Sequence, residues 1–212
     1  MKIVIIDYGA SNLLSIERAI SLYNNDVHTS NNAEDILSAD KIILPGVGSF
    51  HQGMNGLESQ GLDKEIRKAV NKHIPLLGIC LGMQMLFTDS EEGGLRKGLG
   101  IIPGHIVKIP MNNANGKNQD VPHIGWNKLY KNNICIDDKG ILDGTDVEPE
   151  VYFVHSYEAK PDYIENNTYY TKYGDRDICA IAQIGNVVGC QFHPEKSASV
   201  GLQIIKNFIE NF

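Results

Sequence analysis

The chain has 212 residues, a length typical of one domain or at most two small ones. Folded as one body it would bury roughly 70% of its unfolded surface, so its core would need neither disulfides nor a metal. Hydrophobic residues make up 42% and charged residues 21%, which excludes disordered, collagen-like and coiled-coil chains. The formal net charge of −7 argues against nucleic acid or an anionic membrane as the main partner.

The apolar run at the N-terminus, residues 2–7 (KIVIID), is too short for the core of a signal peptide. No stretch approaches the roughly 20 apolar residues of a membrane-spanning helix. The cysteines lie far apart and form no CxxC pair, so we expect reduced thiols and a cytoplasmic protein. The seven histidines show neither HxxxH nor HxH spacing, and we therefore expect no metal and no cofactor.

The first 90 residues alternate between two kinds of pattern. Short apolar runs, typical of strands covered on both faces of a parallel sheet, occupy residues 2–7, 41–44 and 74–79. Apolar residues at helical spacing occupy residues 12–23, 62–72 and 81 to about 87. This alternation predicts βαβ units with right-handed crossovers.

The second half is richer in extended patterns, and turn clusters separate them. Extended runs occupy residues 101–109, 151–155, 168–173, 178–184 and 187–192. Residues 112–118 (NNANGKN) are the most obvious surface loop, and residues 198–212 return to a helical pattern. We predict one α/β domain over residues 1–212, with a central, mostly parallel sheet flanked by helices and an added antiparallel β portion in the second half.

The most informative motif is residues 78–84 (GICLGMQ), where Cys80 lies between two glycines at the end of a predicted strand and the start of a helix. This is the arrangement of a nucleophile elbow, with cysteine in place of serine. Backbone N–H groups at the helix N-terminus favour a thiolate and can also stabilise an oxyanion. The alternative is a buried structural cysteine, the commoner state of a free thiol.

Two further motifs accompany it. In an extended chain His193 and Glu195 face the same way, so the carboxylate can hold one imidazole nitrogen and leave the other for a thiol. A surface His-Pro turn with a solvated Glu is the alternative. Residues 45–50 (PGVGSF) follow a predicted buried strand, and their two glycines let a backbone N–H turn toward a bound carbonyl. Sites in parallel sheets gather at such strand ends.

With these motifs in view, the chain resembles the class I (triad-type) glutamine amidotransferases, and among them the glutaminase subunits of imidazole glycerol phosphate synthases. The matching stretches run almost end to end: 7–9 (DYG) with 12–13 (NL), 45–50 (PGVGSF), 78–84 (GICLGMQ), 98–100 (GLG), 122–127 (PHIGWN), 152–157 (YFVHSY) and 191–197 (QFHPEKS). The resemblance implies a single-domain, flavodoxin-like amidotransferase fold. It also implies an enzyme that hydrolyses L-glutamine to glutamate and ammonia through a cysteinyl thioester.

The resemblance also assigns roles. Cys80 would be the nucleophile, His193 the general acid/base and Glu195 the residue that orients it. The oxyanion would be held by backbone N–H groups of Leu81 and, after a peptide flip, Val47. The residues expected to position substrate are Gly46, Gly48, Gln84, Glu92, Ser156 and Tyr157. His123 and His155 are expected to pack and hydrogen-bond, and Cys135, Cys179 and Cys190 to be inert.

A glutaminase without a synthase domain implies a partner that consumes the ammonia. The resemblance implies a (β/α)8-barrel cyclase of histidine biosynthesis, docked on a face that includes Asn12, Trp126 and Lys196, and glutaminase activity that rises when it binds. A core position for Trp126 is the alternative. The residues also leave open a paralogous glutaminase that serves a sugar-amidating synthase, a non-catalytic binding protein with this fold, and a cysteine peptidase.

Overall fold

The computed structural model describes residues 1–112, 116, 118–134 and 140–212. Its first elements are β1 (Ile3–Ile6), α1 (Leu13–Ser21), β2 (Val27–Ser30), α2 (Ala33–Leu37), β3 (Lys41–Leu44), α3 (Phe50–Ser59), α4 (Leu62–Asn71), β4 (Leu76–Ile79) and α5 (Leu81–Met85). There follow β5 (Phe87–Ser90), β6 (Arg96–Lys97), β7 (Ile102–Lys108), β8 (His123–Lys128), β9 (Tyr130–Lys131), β10 (Glu150–His155), β11 (Tyr157–Pro161), β12 (Asn167–Tyr173), β13 (Arg176–Ile184), β14 (Val187–Cys190) and α6 (Ala198–Asn211). Most of the predicted loop at 112–118, and Cys135, lie outside the described residues.

In the described part of the chain the largest sheet has eight strands, in the order β2-β1-β3-β4-β14-β13-β12-β9. Strands β2, β1, β3, β4 and β14 run parallel to one another. Strands β13, β12 and β9 extend the sheet in antiparallel fashion. The parallel part has the strand order of flavodoxin-like folds. The predicted α/β architecture, with a mostly parallel sheet and an antiparallel portion from the second half, is confirmed.

Hydrophobic cores cover both faces of this sheet. Along β1 the buried side chains alternate: Ile3 and Ile5 belong to one core, and Val4 and Ile6 to the other. Helices α1 and α6 supply the first core, and α3, α4 and α5 supply the second. The continuous apolar run of β1 is therefore explained by burial on both sides. No helix in the described residues is long and apolar enough to cross a bilayer.

Two smaller sheets lie beside the central one. Strands β8 and β10 pair antiparallel over six residues each, and β11, β7, β5 and β6 form a four-stranded sheet. Strand β10 ends at His155 and β11 begins at Tyr157, so a single residue, Ser156, joins the two small sheets. This junction brings the 155–157 segment to the site described below.

The structure corrects one predicted boundary. The helix expected from 81 to about 87 ends at Met85, because Phe87 starts β5 and pairs with Ile102 of β7. Tertiary pairing thus overrides the apolar helical pattern. The elements that were not predicted are helices α2 and α3 and strands β2, β5, β6, β8, β9 and β11. Strand β2 has no buried residue, α2 is five residues long, and α3 contains two glycines, which weaken a helical pattern.

Candidate active site

Three chain segments meet at one edge of the parallel sheet. Strands β3, β4 and β14 are neighbours, and their carboxyl ends lead into residues 45–49, Cys80 and residues 191–195. Because parallel strands place their carboxyl ends at the same edge, the three motifs singled out in the sequence come together there.

Cys80 lies in a sharp turn between β4 and α5. Its backbone has φ +53° and ψ −108°, a conformation that non-glycine residues rarely adopt and that costs about 1–3 kcal/mol. The flanking glycines make the turn possible: a Cβ at Gly82 would lie 1.9 Å from the Leu44 carbonyl oxygen, and one at Gly78 would lie 2.9 Å from the Gly82 carbonyl carbon. The expected elbow geometry is present at Cys80.

The Cys80 side chain is 8% exposed, and its sulfur has three polar neighbours. Sγ lies 3.9 Å from the Val154 carbonyl oxygen and 3.9 Å from Nε2 of Gln191. His193 lines the same cavity and interacts electrostatically with Cys80. The predicted nucleophile and the predicted base, far apart in the chain, therefore face one cavity.

His193 is held from its other side by Glu195, whose Oε1 lies 2.8 Å from Nδ1 of the imidazole. Both side chains are essentially buried. The contact does not arise in an extended chain, as the sequence suggested: β14 ends at Cys190, and residues Pro194–Lys196 form a 3₁₀ turn that begins at the proline. Burial lowers the pKa of His193, but its interactions with Cys80 and Glu195 outweigh burial and raise that pKa to about 9.

Asn12 lies beside this pair rather than apart from it. Its Nδ2 donates to Oε1 of Glu195 at 3.4 Å, and its side chain is partly buried. The expected partner-interface residue thus also contacts the predicted orienting carboxylate. The Asn12 amide therefore helps to fix the position of the carboxylate that holds Nδ1 of His193.

The 45–49 loop contributes Val47 and Gly48 to the wall of the cavity beside Cys80. Tyr8 fixes its start by donating its hydroxyl to the Pro45 carbonyl oxygen at 2.8 Å. Gly46 is required by packing, because a Cβ there would lie 2.7 Å from the Tyr8 hydroxyl. Gly48 is required by its backbone conformation, because its φ is +100°. Val47, between them, faces the cavity described next.

A cavity of about 360 Å³ opens above Cys80. The predicted site residues that line it are Val47, Gly48, Cys80, Leu81, Gln84, Glu92, Ser156, Tyr157, His193 and Lys196. Gly46 and Glu195 do not line it: the first packs beneath Tyr8 and α5, and the second lies behind His193. Pro122, Val154 and His155 complete the wall.

Two polar side chains of this wall are fixed by hydrogen bonds. Gln84 donates its Nε2 to the Tyr157 carbonyl oxygen at 3.2 Å and to Oε1 of Gln191 at 3.1 Å. Glu92 accepts the backbone N–H of Phe50 at 2.7 Å, which places its carboxylate at the N-terminus of α3. Because α3 begins where the 45–49 loop ends, Glu92 is tied to the loop that carries Val47.

His123 and His155 pack and hydrogen-bond as expected. Nδ1 of His123 lies 2.9 Å from Nε2 of His155, whose Nδ1 donates to the Tyr157 carbonyl oxygen at 2.8 Å. Burial, followed by the nearby imidazoles, lowers the pKa of His155 to about 3. Cys179 and Cys190 are fully buried, and burial raises the pKa of both thiols, which fits the expectation that they are inert.

Trp126 is half exposed on β8, so the alternative of a core position is wrong. Its ring lies 6.0 Å from that of Tyr152, and Ile124, two residues earlier on the same face, is 58% exposed. Lys196 is exposed at the cavity wall. Exposed Ile124 and Trp126 therefore form an apolar surface patch with the partly exposed Tyr152 on the paired strands β8 and β10, and Val154 of β10 lines the cavity.

Two residues that contact the site were not assigned a role from the sequence. Tyr8 anchors the 45–49 loop, and Gln191 contacts both Cys80 and Gln84. Both residues lie within stretches that match the amidotransferases, at 7–9 and 191–197. Their place in those stretches was the one sequence signal that could have indicated a role at the site. Among the described residues, no group of three or more His, Cys, Asp or Glu side chains is placed to hold a metal ion.

Comparisons with known proteins agree with this geometry. Residues 4–212 match the family model described as glutamine amidotransferase class-I. The chain is 41% identical over 210 residues to imidazole glycerol phosphate synthase subunit HisH 1 of Legionella pneumophila (strain Lens), covering 99% of both chains. It is 44% identical to the HisH subunit of Methanocaldococcus jannaschii, covering 97% of both. The HisH subunit of Moorella thermoacetica is 43% identical, with 98% of this chain and 94% of that one covered.

Solved structures support the fold. A structure titled as a glutamine amidotransferase has a TM-score of 0.72 at 17% identity and covers 98% of this chain and 97% of its own. PurLQS from Thermotoga maritima has a TM-score of 0.67 at 19% identity, with the same coverage. At such identities the likeness concerns the fold alone. With the family match over nearly its whole length, the chain belongs to the class I glutamine amidotransferases.

Proposed function

We propose that this chain is the glutaminase subunit of an imidazole glycerol phosphate synthase. It hydrolyses L-glutamine to glutamate and ammonia and passes the ammonia to a cyclase subunit in histidine biosynthesis. The observation that carries the proposal is that Cys80 and His193 line one cavity, with His193 held by Glu195, in a chain so similar to HisH subunits. The cytoplasm is where such a biosynthetic enzyme would work.

The chemistry follows from these contacts. The Cys80 thiolate attacks the carboxamide carbon of glutamine, and the tetrahedral oxyanion accepts hydrogen bonds from the backbone N–H groups of Leu81 and, after a peptide flip, Val47. His193, protonated while Glu195 holds its Nδ1–H, gives its other proton to the departing ammonia. The neutral His193 then takes a proton from the water that attacks the γ-glutamyl thioester. The C–S bond breaks, glutamate leaves, and the thiolate is restored beside a protonated His193.

Substrate binding uses the polar wall of the cavity. A volume of about 360 Å³ is sufficient for one amino acid. Gln84 and Glu92 bind the α-amino and α-carboxylate end of glutamine, and Ser156 and Tyr157 close the opposite side. Because Glu92 also accepts the Phe50 N–H, substrate bound at this carboxylate is linked directly to the oxyanion loop. No step requires a metal or an organic cofactor.

The ammonia acceptor is a (β/α)8-barrel cyclase that makes imidazole glycerol phosphate and AICAR. Its docking face includes Trp126, Lys196 and Asn12. The partly exposed patch of Ile124, Trp126 and Tyr152 supports this placement, because aromatic anchors with a nearby charge are typical of binding hot spots. The patch lies on the paired strands β8 and β10, and Val154 of β10 lines the cavity, so a partner docked there would lie beside the site.

The test is glutamate release by the chain purified with its cyclase partner. We expect low activity alone, a rise when partner and cyclase substrate are present, and loss of activity in Cys80→Ala with partner binding intact. Undiminished glutamate release by that variant would refute the mechanism. Growth of a histidine auxotroph that lacks this subunit separates the histidine pathway from a sugar-amidating one: rescue supports the proposal, and failure of a soluble, partner-activated chain to rescue refutes that part of it. The three HisH relatives named above favour rescue.

A further inference from the structure

Gln191 is fully buried beside the predicted nucleophile, in a position fixed by the backbone. Its N–H donates to the Ala180 carbonyl oxygen at 2.9 Å, which keeps it in the sheet just beyond β14. The preceding carbonyl, of Cys190, accepts the backbone N–H of Cys80 at 2.7 Å. The end of β14 therefore holds the elbow and the Gln191 side chain in one register.

The orientation of the Gln191 carboxamide follows from its neighbours. Gln84 donates from Nε2 to the Tyr157 carbonyl, which can only accept, so the nitrogen of Gln84 faces this region. The same nitrogen lies 3.1 Å from Gln191, and only an oxygen of Gln191 can accept from it. The amide nitrogen of Gln191 must then point the other way, where it lies 3.9 Å from Sγ of Cys80.

The other neighbours of the sulfur make this donor important. The Val154 carbonyl oxygen can only accept a hydrogen bond, so it offers no donor to a thiolate. Helix α5 has only five residues, which limits what its dipole contributes. His193 and the buried Tyr8 interact electrostatically with Cys80. The other titratable groups that line its cavity are Glu92, His155, Tyr157 and Lys196, and Glu195 lies behind His193.

We propose that Gln191 stabilises the thiolate of Cys80 by donating an Nε2–H hydrogen bond to its sulfur, with Gln84 as the positioning residue that fixes the donor's orientation. The inference rests on the proposed function, since it assigns a further residue to the same nucleophile. A neutral amide donates at every pH, whereas His193 donates to the thiolate as a cation only while it is protonated. Hydrogen bonds to charged groups are stronger than those between neutral groups, and more so in a water-poor site.

The test is the pH dependence of Cys80 alkylation by iodoacetamide, measured on the full chain without glutamine, with peptide mapping to identify Cys80. Gln191→Leu removes the donor and is expected to move the half-maximal pH upward by about one unit, which is about tenfold slower alkylation below that midpoint. Gln191→Glu keeps the shape of the side chain but replaces the donor nitrogen by an oxygen, and it is expected to move the half-maximal pH of alkylation further upward. Gln84→Leu, which frees the Gln191 amide to turn, is expected to give a smaller shift in the same direction.

Gln183→Leu is the matched control, because Gln183 is also a buried glutamine of the same sheet but donates to Gly185. An unchanged profile in folded Gln191→Glu or Gln191→Leu would overturn the inference, as would an equal shift in the Gln183 variant. Should Gln191→Leu fail to fold, the same-sized Glu variant and Gln84→Leu decide the question. Alkylation needs neither glutamine nor partner, so this result is independent of whether the proposed function holds.

Discussion

Gly82→Ala tests whether the close approach of α5 to β3 sets the position of the nucleophile. A Cβ at Gly82 would lie 1.9 Å from the Leu44 carbonyl oxygen, 2.8 Å from its carbonyl carbon and 3.2 Å from that of Pro45. These are backbone atoms at the buried end of a strand, so they cannot relieve the clash by a change of rotamer as a side chain could. Carbon–oxygen contacts need about 3.3 Å, so α5 must move by about 1.4 Å relative to the end of β3.

The magnitude follows from that displacement. Overpacking of this kind costs about 1–3 kcal/mol of the free energy of unfolding. A misplacement of about 1 Å between reacting groups costs about 100-fold in rate. We therefore expect Gly82→Ala to fold with reduced stability and to lose about 100-fold in kcat for glutamate release when bound to its partner.

Gly185→Ala provides the matched control. Gly185 lies in the turn between β13 and β14 with φ +55°, and no heavy atom lies within 4 Å of a Cβ built there. Alanine in this left-handed conformation costs about 1–2 kcal/mol but moves nothing at the site. Urea denaturation and steady-state glutamate release are measured on both variants. If Gly82→Ala kept the wild-type kcat, or if Gly185→Ala lost as much, the link between this contact and catalysis would be refuted.

Four further outcomes can be measured. Burial lowers the pKa of His193, but its interactions with Cys80 and the triad carboxylate raise it to about 9. NMR titration should find a pKa of about 9 in the wild-type protein and a lower pKa in Cys80→Ala. A His193 pKa near 6.5 in the wild-type protein would contradict the pairing. Because that pKa is raised on folding, the pair stabilises the fold fully below about pH 6.5 and the contribution is lost as the pH rises through about 9, which denaturation across this range checks. Tyr8→Phe removes the hydrogen bond to the Pro45 carbonyl and should cost about 1 kcal/mol of unfolding free energy by urea titration; no loss contradicts the anchoring role. Glu92→Gln should raise KM for glutamine more than it lowers kcat, and the reverse would contradict a role in binding the amino-acid end.

Local features of the sequence predicted much of the parallel half of the fold. The strand at 41–44 is found at the predicted residues, because a short apolar run buried on both faces needs no distant information. The elbow at Cys80 was likewise predictable, because the tight turn has no room for a Cβ at residues 78 and 82 and the local sequence has glycine at both. Strand β2 was missed because its polar, partly exposed residues lack any buried-strand pattern.

Long-range relations could not be derived from local pattern. The meeting of Cys80 and His193 at one cavity depends on β14 lying next to β4, a pairing between strands more than a hundred residues apart in the chain. The resemblance to amidotransferases, and not the spacing, indicated that these residues meet. The contact of Gln191 with the sulfur was missed for the same reason, and because a buried glutamine has no distinctive sequence environment.

The account depends most directly on which sulfur atom reacts with glutamine. Incubation of the partner-bound chain with an electrophilic glutamine analogue, followed by intact-mass and peptide mass spectrometry, measures this. We predict a single adduct on the peptide that carries Cys80, suppressed by excess L-glutamine and absent in Cys80→Ala. An adduct on another residue, or none while glutamate is still being released, would contradict nucleophilic catalysis by Cys80.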